Sequence, residues 1–506
     1  MTIQADIPDI HTSLDTNVNY LNALLGVGQG PGHSWDIMAK PFGYGNLRMM
    51  AYVLNGYFLT MNMVLILQEF EKHVLLFQQN HQNQSDSLHE LVDYLNKNVG
   101  FVQVQTITKM QDAIRFILSG PLITFIDGFE YAFMIDTRIY PMRSIEPTEV
   151  ERVIRGPRDG FVETMLMNTA LIRRRLRDPA LRAELMQVGT RSKTDVTLMY
   201  LSDVADPQLV AKVRQSLQSI RADIVSMAEQ AVIELISKVG WGFYPVARYT
   251  ERPDVAATAL VDGHVVIIVD TSPEVIIAPI TLFQLLQTPE EYHIYPVLGT
   301  YARAVSLVAN LISVFLPGLF LLANFHPNTI PSFFSFLKVD KQTPIPLWGE
   351  LMIAEFALDV LRKAVLNTPT NIGAMVSIIA AFAFGELAPN VNFLQPEVLL
   401  YMAFVLVSQF ALPSYELGSA NEVSRFWIII VTQIGHSLGF KAWGFLFGVV
   451  TWLLYLATRK SFGVPYLWPL IPFKWANGLK EILIRRPLDR VQGRPGILRP
   501  KMQKRA

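Results

Sequence analysis

Apolar positions follow three different rhythms along the chain. Residues 1–35 are mostly polar and then glycine-rich, which reads as a flexible leader. From Leu47 the run LRMMAYVLNGYFLT is strand-like and breaks at Asn55-Gly56, a pair suited to positive φ, before MVLILQEFEKHVLLF takes up helical spacing. LITFIDGFEYAFMIDT carries two β-prone runs around Asp127-Gly128, a hairpin signal. Together these predict a small mixed α/β subdomain over 36–140.

PMRSIEPTEVERVIRGPRDG (141–160) mixes prolines, glycines and charges without periodicity and reads as a linker. A second α/β subdomain is predicted over 161–300. In it GFVETMLMNTALIRRRL is a helix, TDVTLMYL a buried strand, 207–238 one or two amphipathic helices, and VAATALVDGHVVIIVD a hairpin turning at Asp262-Gly263. No apolar run before Tyr301 reaches the roughly 20 residues that cross a bilayer.

After Arg303 the rhythm changes. AVSLVANLISVFLPGLFLLANF (304–325) is 22 residues without a charge, long enough to span. NIGAMVSIIAAFAFG (371–385) and PEVLLYMAFVLVSQFALP (396–413) are further candidates, and 426–457 is broken at GHSLGFK, as two short helices would be. PLWGELMIAEFALDVLRKAVL (346–366) has helical spacing but carries the membrane-level charges Glu350, Glu355, Asp359, Arg362 and Lys363, so it reads either as an interfacial helix or as one packed inside a bundle with its charges toward water or a partner. The prediction is a soluble α/β N-terminal region of two small subdomains followed by an α-helical polytopic membrane domain at 301–460. It holds four to six segments near 304–325, 347–366, 371–388, 396–413, 425–437 and 442–457, followed by a basic tail at 461–506.

Composition agrees with that division. Of 506 residues, 51% are hydrophobic and 17% charged, against about 25% charged in soluble domains. There is no cysteine, which excludes disulfides, thiol catalysis and thiolate metal sites. The net charge is zero, yet residues 441–506 hold 13 Lys+Arg against 2 Asp+Glu, the sign of a cytoplasmic end. The N-terminus shows no basic segment followed by an apolar one, so no cleaved signal is expected and both termini are placed in the cytoplasm. An even number of crossings follows.

No catalytic signature stands out. GVGQGPG (26–32) lacks the Lys-Ser/Thr ending of a phosphate loop, the nine histidines show no metal-ligand spacing, and no GxSxG occurs. The chain is therefore expected to be no enzyme and to bind no cofactor, metal or nucleic acid. Arg173, Arg174 and Arg175 read as a solvated or subunit-contacting helix end, and the tail after Lys474 as a surface for anionic lipid. His436 reads as a polar group packed in the bundle. Asp270 and the Glu290-Glu291 pair read as turn and capping residues, with coupling to the first span as the alternative.

NIGAMVSIIAAFAFGELA (371–388) places small residues at helical spacing, which serves either a tightly packed bundle helix or the wall of a narrow pore. In the pore reading Asn371, Gly373, Val376, Ser377 and Ala380 line the conduit and Glu386 charges one mouth, which requires a symmetric oligomer. A secondary transporter is disfavoured, since the apolar region shows no duplicated halves.

RGPRDGFVETMLMNTALIRRRLRDPAL, VGTRSKTDVTLMYL, TERPDVAATALVDGHVVIIVDTSPEVIIAPI, QTPEEYH and SFGVPYLWPLIPF, in this order over about 140–475, resemble the GerA family of spore germination proteins. NTPTNIGAMVSIIAAFAFGELA, PEVLLYMAF and ALPSYELGSANEVSRF resemble one sporulation branch of it more than the germinant-receptor A subunits. The resemblance implies a multi-pass protein of the endospore inner membrane, built as a homo-oligomeric, pentameric ion channel. It also implies a small membrane partner protein, other germination proteins and the lipid bilayer as its surroundings, and amplification of ion release begun by nutrient receptors. A non-conducting nutrient sensor or scaffold is the alternative.

Overall fold

The computed structural model describes residues 7–43, 47–80, 88–98, 104–139, 151, 153–225, 227–237, 240–325, 333, 338–339, 343–367, 375, 378–490 and 493–503. The chain forms two units. Unit one comprises Met1–Val239, Ala247–Pro279 and Val491–Ala506; unit two comprises Gly240–Val246 and Ile280–Arg490.

Unit one is a tandem of two halves with the same plan. The first runs α1 (Leu14–Leu25), β1 (Ile37–Phe42), β2 (Met49–Leu54), α2 (Thr60–Asn80), α3 (Leu88–Asn98), β3 (Val104–Ile107), α4 (Met110–Ser119), β4 (Leu122–Ile126) and β5 (Ala132–Ile135). The second runs α5 (Met165–Arg175), β6 (Leu181–Val188), β7 (Thr194–Leu201), α6 (Pro207–Gln218), α7 (Ala228–Ser237), β8 (Arg248–Thr250), α8 (Pro253–Asp262), β9 (Val265–Val269) and β10 (Val275–Ala278). Each half folds into an antiparallel five-stranded sheet, ordered β1-β2-β4-β5-β3 and β6-β7-β9-β10-β8, so the strands are threaded identically.

The duplication extends to single hydrogen bonds. Buried Asn17 clasps the backbone of His11, donating to its carbonyl at 2.6 Å and accepting from its N–H at 2.9 Å. Asn168 clasps Val162 the same way, at 2.6 and 2.8 Å. The first N–H of α1 donates to Asp127 Oδ1 and that of α5 to Asp270 Oδ1, both at 3.0 Å, where a carboxylate meets the positive end of a helix. The residue after each aspartate has positive φ, 90° at Gly128 and 70° at Thr271, and returns an N–H to the segment ahead of the helix.

Several sequence expectations change here. From Ile7 onward the leader is folded rather than loose: Leu14, Leu21 and Leu25 of α1 enter the first core, and the glycine-rich loop docks on the second half through Gly32 N–H to Glu184 Oε1 at 2.6 Å. Asp262-Gly263 ends a helix instead of turning a hairpin. Pro253 opens α8 at a position where its missing N–H costs nothing, and Gly263 (φ 104°) closes it in the left-handed conformation. Arg173 is buried against Asp36 at 2.8 Å, so the arginine run is no solvated helix end throughout. The second subdomain ends at Pro279, short of 300. The basic tail divides: Arg494 donates to Val261 O at 2.7 Å and Lys501 N–H to Val204 O at 2.9 Å, returning the terminus to unit one with Leu498 buried. Most of the 141–160 linker lies outside the described residues.

Unit two is helical, with α9 (Leu282–Leu285), α10 (Pro296–Phe325), α11 (Leu347–Leu366), α12 (Ile378–Asn390), α13 (Pro396–Phe410), α14 (Tyr415–Ser437), α15 (Trp443–Thr458) and α16 (Lys480–Leu483). Among the described residues α10 alone is both long and apolar enough to cross a bilayer; α12, α13 and α15 are apolar but shorter. The break predicted at GHSLGFK falls between α14 and α15. These two helices meet backbone to backbone, and a Cβ on Gly435 would stand 2.3 Å from Gly444 Cα.

Candidate functional site

Unit two is apolar on its outside as well as in its cores. Large apolar side chains such as Phe404, Val407, Phe410, Phe447 and Leu454 face outward, while polar and charged groups are turned inward among the buried apolar residues. Helical spacing creates those faces. On α10, Ser306, Asn310 and Ser313 are buried while Val308 and Leu311 are exposed; on α14, Asn421, Ser424, Arg425 and Thr432 are buried while Trp427, Ile430 and Ile434 are exposed.

Arg425 is the centre of the layer, 2% exposed. Its Nε donates to Glu355 Oε1 at 3.0 Å, and Nη2 donates to the same oxygen and to Gln409 Oε1 at 3.0 Å. Nη1 donates to Ser313 O at 2.8 Å and to Ser313 Oγ at 3.2 Å. One guanidinium thus ties α14 to α10, α11 and α13. A buried charge is tolerated only when it is paired and its donors are used, and here they are.

A second ionic group adjoins it. Arg362 pairs with Asp359 at 3.0 Å and with Glu422 at 2.9 Å. Gln409 connects the groups, accepting from Arg425 and donating to Glu422 Oε2 at 3.4 Å. Oxygens of Glu355, Asp359 and Glu422 all lie within 4.8 Å of one another. The polar layer continues through Asn421, whose amide donates to Asn310 Oδ1 at 2.9 Å, to the Tyr244 hydroxyl, which donates to Asn421 and accepts from Trp452 Nε1 at 2.8 Å.

The membrane-level charges read from the sequence have distinct places. Glu355 and Asp359 share one face of α11 and join this layer. Glu350 is fully buried elsewhere on α11, accepting from Thr343 and from the Gln395 N–H at 2.8 Å, at the start of α13. Of the proposed pore residues, Asn371, Gly373, Val376 and Ser377 lie outside the described residues. Ala380 is buried on α12, and Glu386 is exposed in a widened turn at Ala383–Leu387. His436 stacks on Phe325, with ring centroids 3.7 Å apart. Asp270 caps α5, while Glu291 is buried and pairs with Arg303 at 2.9 Å, beyond an ordinary capping role. Arg303 also donates to Ile482 O at 3.2 Å, so the basic segment near α16 is packed as protein at that point.

Arg425, Glu422, Gln409, Asn310 and Asn421 were not singled out from the sequence. The available signal was polar residues at spacings of three and four, Asn310 with Ser313 and Asn421 with Arg425, inside otherwise apolar helices.

Comparison with known proteins gives the geometry its context. The family model described as "Bacillus/Clostridium GerA spore germination protein" matches residues 28–497. The chain is 38% identical over 473 residues to stage V sporulation protein AF of Bacillus subtilis (strain 168), covering 93% of each chain. It is 28% identical over 464 residues to the uncharacterized membrane protein YfkQ of the same organism, covering 91% of this chain and 88% of that one. To spore germination protein GerLA of Bacillus cereus it is 30% identical over 423 residues, 83% of this chain and 84% of that one. None of these names denotes an enzyme, and they support a role in germination. With the match running from the docked glycine loop to the returning tail, the chain belongs to the GerA family of spore germination proteins.

Proposed function

We propose that the chain is a subunit of a homo-oligomeric, pentameric ion channel in the spore inner membrane. In this reading it crosses the bilayer several times, keeps both termini cytoplasmic, and works with a small membrane partner and other germination proteins to amplify ion release. The observation that carries the reading is the apolar exterior of unit two, with the Arg425 layer turned inward. That arrangement suits helices solvated by lipid, where polar groups must find their partners inside the bundle. At 30 residues α10 extends about 45 Å, more than the roughly 30 Å hydrocarbon core. α14 carries charges yet turns them inward, so its exposed face is apolar. The small-residue segment at 371–388 supplies the conduit when several copies surround one axis.

Ion flux through proteoliposomes containing the purified oligomer tests this. Val376→Ala and Ser377→Ala should change the basal leak several-fold, because small changes in a narrow constriction alter its wetting. Silence from a correctly assembled oligomer, with partner present, would sink the channel reading.

One observation favours the alternative of a non-conducting nutrient sensor. A cavity of 480 Å³ lies where the halves of unit one meet, walled by Ile7, Ile114, Phe116 and Leu118 with Arg115, Arg138 and Arg177 among the remaining lining residues. Arg115 pairs with Asp112 and Arg138 with Asp136, so an apolar ligand with one acidic group at Arg177 suits it best. A silent oligomer that binds such a ligand, and loses it on Arg177→Ala, would establish that reading instead.

A further inference from the structure

Between α15 and α16 a short turn at 469–475 holds its apolar side chains away from the protein. Leu470, Ile471, Phe473 and Trp475 are all exposed, Phe473 by 65% and Trp475 by 56%. The turn is nevertheless firmly rooted. Tyr466, Leu467 and Trp468 ahead of it are buried, and Tyr466 O accepts from Leu282 N–H at 3.0 Å. The N–H groups of Leu470 and Ile471 donate to Leu467 O at 2.8 and 3.2 Å, and Lys474 N–H donates to Pro469 O at 2.9 Å. Gly478 closes on the turn so tightly that a Cβ there would stand 2.6 Å from Pro469 Cβ. Backbone bonds thus fix four large apolar groups on the outside, and in water they would form a standing patch that soluble surfaces avoid.

The place of the turn in unit two indicates what covers it. From Trp475 the chain passes to α16, and the end of α16 lies against the start of α10: Arg485 N–H donates to Thr300 Oγ1 at 3.1 Å, and Ile482 O accepts from Arg303 at 3.2 Å. That end of α10 exposes Tyr295 by 79% and Tyr301 by 70%, and from Tyr301 an exposed apolar stripe of Val305, Val308 and Leu311 runs along the helix. Exposed aromatic rings where an apolar helix face begins mark the headgroup level of a bilayer. Lys474 is exposed between Phe473 and Trp475. Its stem can lie along acyl chains while its ammonium donates to lipid phosphate.

We propose that 470–475 is an in-plane wedge seated at the headgroup–acyl boundary of the leaflet that meets the start of α10, with lipid phosphate as the partner of Lys474. The proposal rests on the reading of unit two as membrane-embedded and adds a lipid contact made outside its helices.

Because the chain has no cysteine, a single nitroxide label can be placed at will. Leu470→Cys, Ile471→Cys and Phe473→Cys are made in the full chain, labelled, and reconstituted in vesicles of phosphatidylethanolamine and phosphatidylglycerol. Each label should collide more with oxygen, which concentrates in lipid, than with a water-soluble nickel chelate. A label at Val308→Cys on α10 should behave the same way, and one at the exposed Lys212→Cys on α6 should show the reverse. Wild-type protein gives a readout that needs no variant: a phospholipid with a diazirine high on its acyl chain should attach within 470–475 on illumination. Greater access for nickel than for oxygen at 471 and 473 would overturn the wedge. So would low access for both, which marks cover by a second copy or another protein, and so would photolabelling of α10 that spares 470–475. Val308 in water would sink the membrane reading itself, whereas Val308 in lipid with Phe473 in water would sink the wedge alone.

Discussion

His264 follows α8 and is 3% exposed, and burial holds its imidazole below the ordinary pKa near 6.5. The sign follows from proton counting. As pH falls through about 6.5 the unfolded chain takes up a proton that the folded chain refuses, so stability is lost below that pH and unaffected above it. Thermal denaturation of the full chain at pH 8 and pH 5.5 should show a larger acid-induced drop for wild type than for His264→Gln. Such single-residue facts were hidden in the sequence. Arg173, Arg174 and Arg175 look equivalent when read in a line, yet Arg173 reaches Asp36 and Arg175 reaches Asp159 at 2.5 Å. Which arginine turns inward depends on where α5 lies against its neighbours, and local pattern does not encode that.

Helices α14 and α15 approach so closely because glycines face each other. A Cβ on Gly444 would stand 2.8 Å from Gly435 Cα and 3.1 Å from Thr432 O. Gly444→Ala should therefore force the pair apart at a cost of roughly 1–3 kcal/mol, read as a lowered melting temperature in detergent. The break between these helices was legible, since GHSLGFK interrupts an apolar run with two glycines. The nature of the Asp262-Gly263 element was not. Aspartate-glycine serves a hairpin turn or a helix end equally well, and Pro253, nine residues upstream, was the cue for a helix start. Small residues at 371–388 drew attention to close packing, but among the described glycines of unit two the one with least room is Gly435, against Gly444.

At the scale of the molecule, the doubled plan of unit one was invisible as a repeat, because the two sheets share threading and clasps while their side chains differ. Asn17 and Asn168 correspond only once the hydrogen bonds are traced. The polar layer of unit two was half legible: Glu355 and Asp359 were conspicuous on an apolar helix, but Arg425, the partner of Glu355, sits at the edge of another. Removing one member of that pair strands the other. Arg425→Ala should cost about 3–5 kcal/mol, whereas the apolar double substitution Glu355→Leu with Arg425→Met should restore much of it, as judged by thermal stability of the purified oligomer.

The separation of that pair along the chain sets an order of events during synthesis. Glu355 leaves the ribosome 70 residues before Arg425, so α10, α11 and α13 are delivered while their common tether is still untranslated. Nascent chains halted ahead of α14 hold a carboxylate with no guanidinium, and the bundle closes only when that late segment is threaded among its elders.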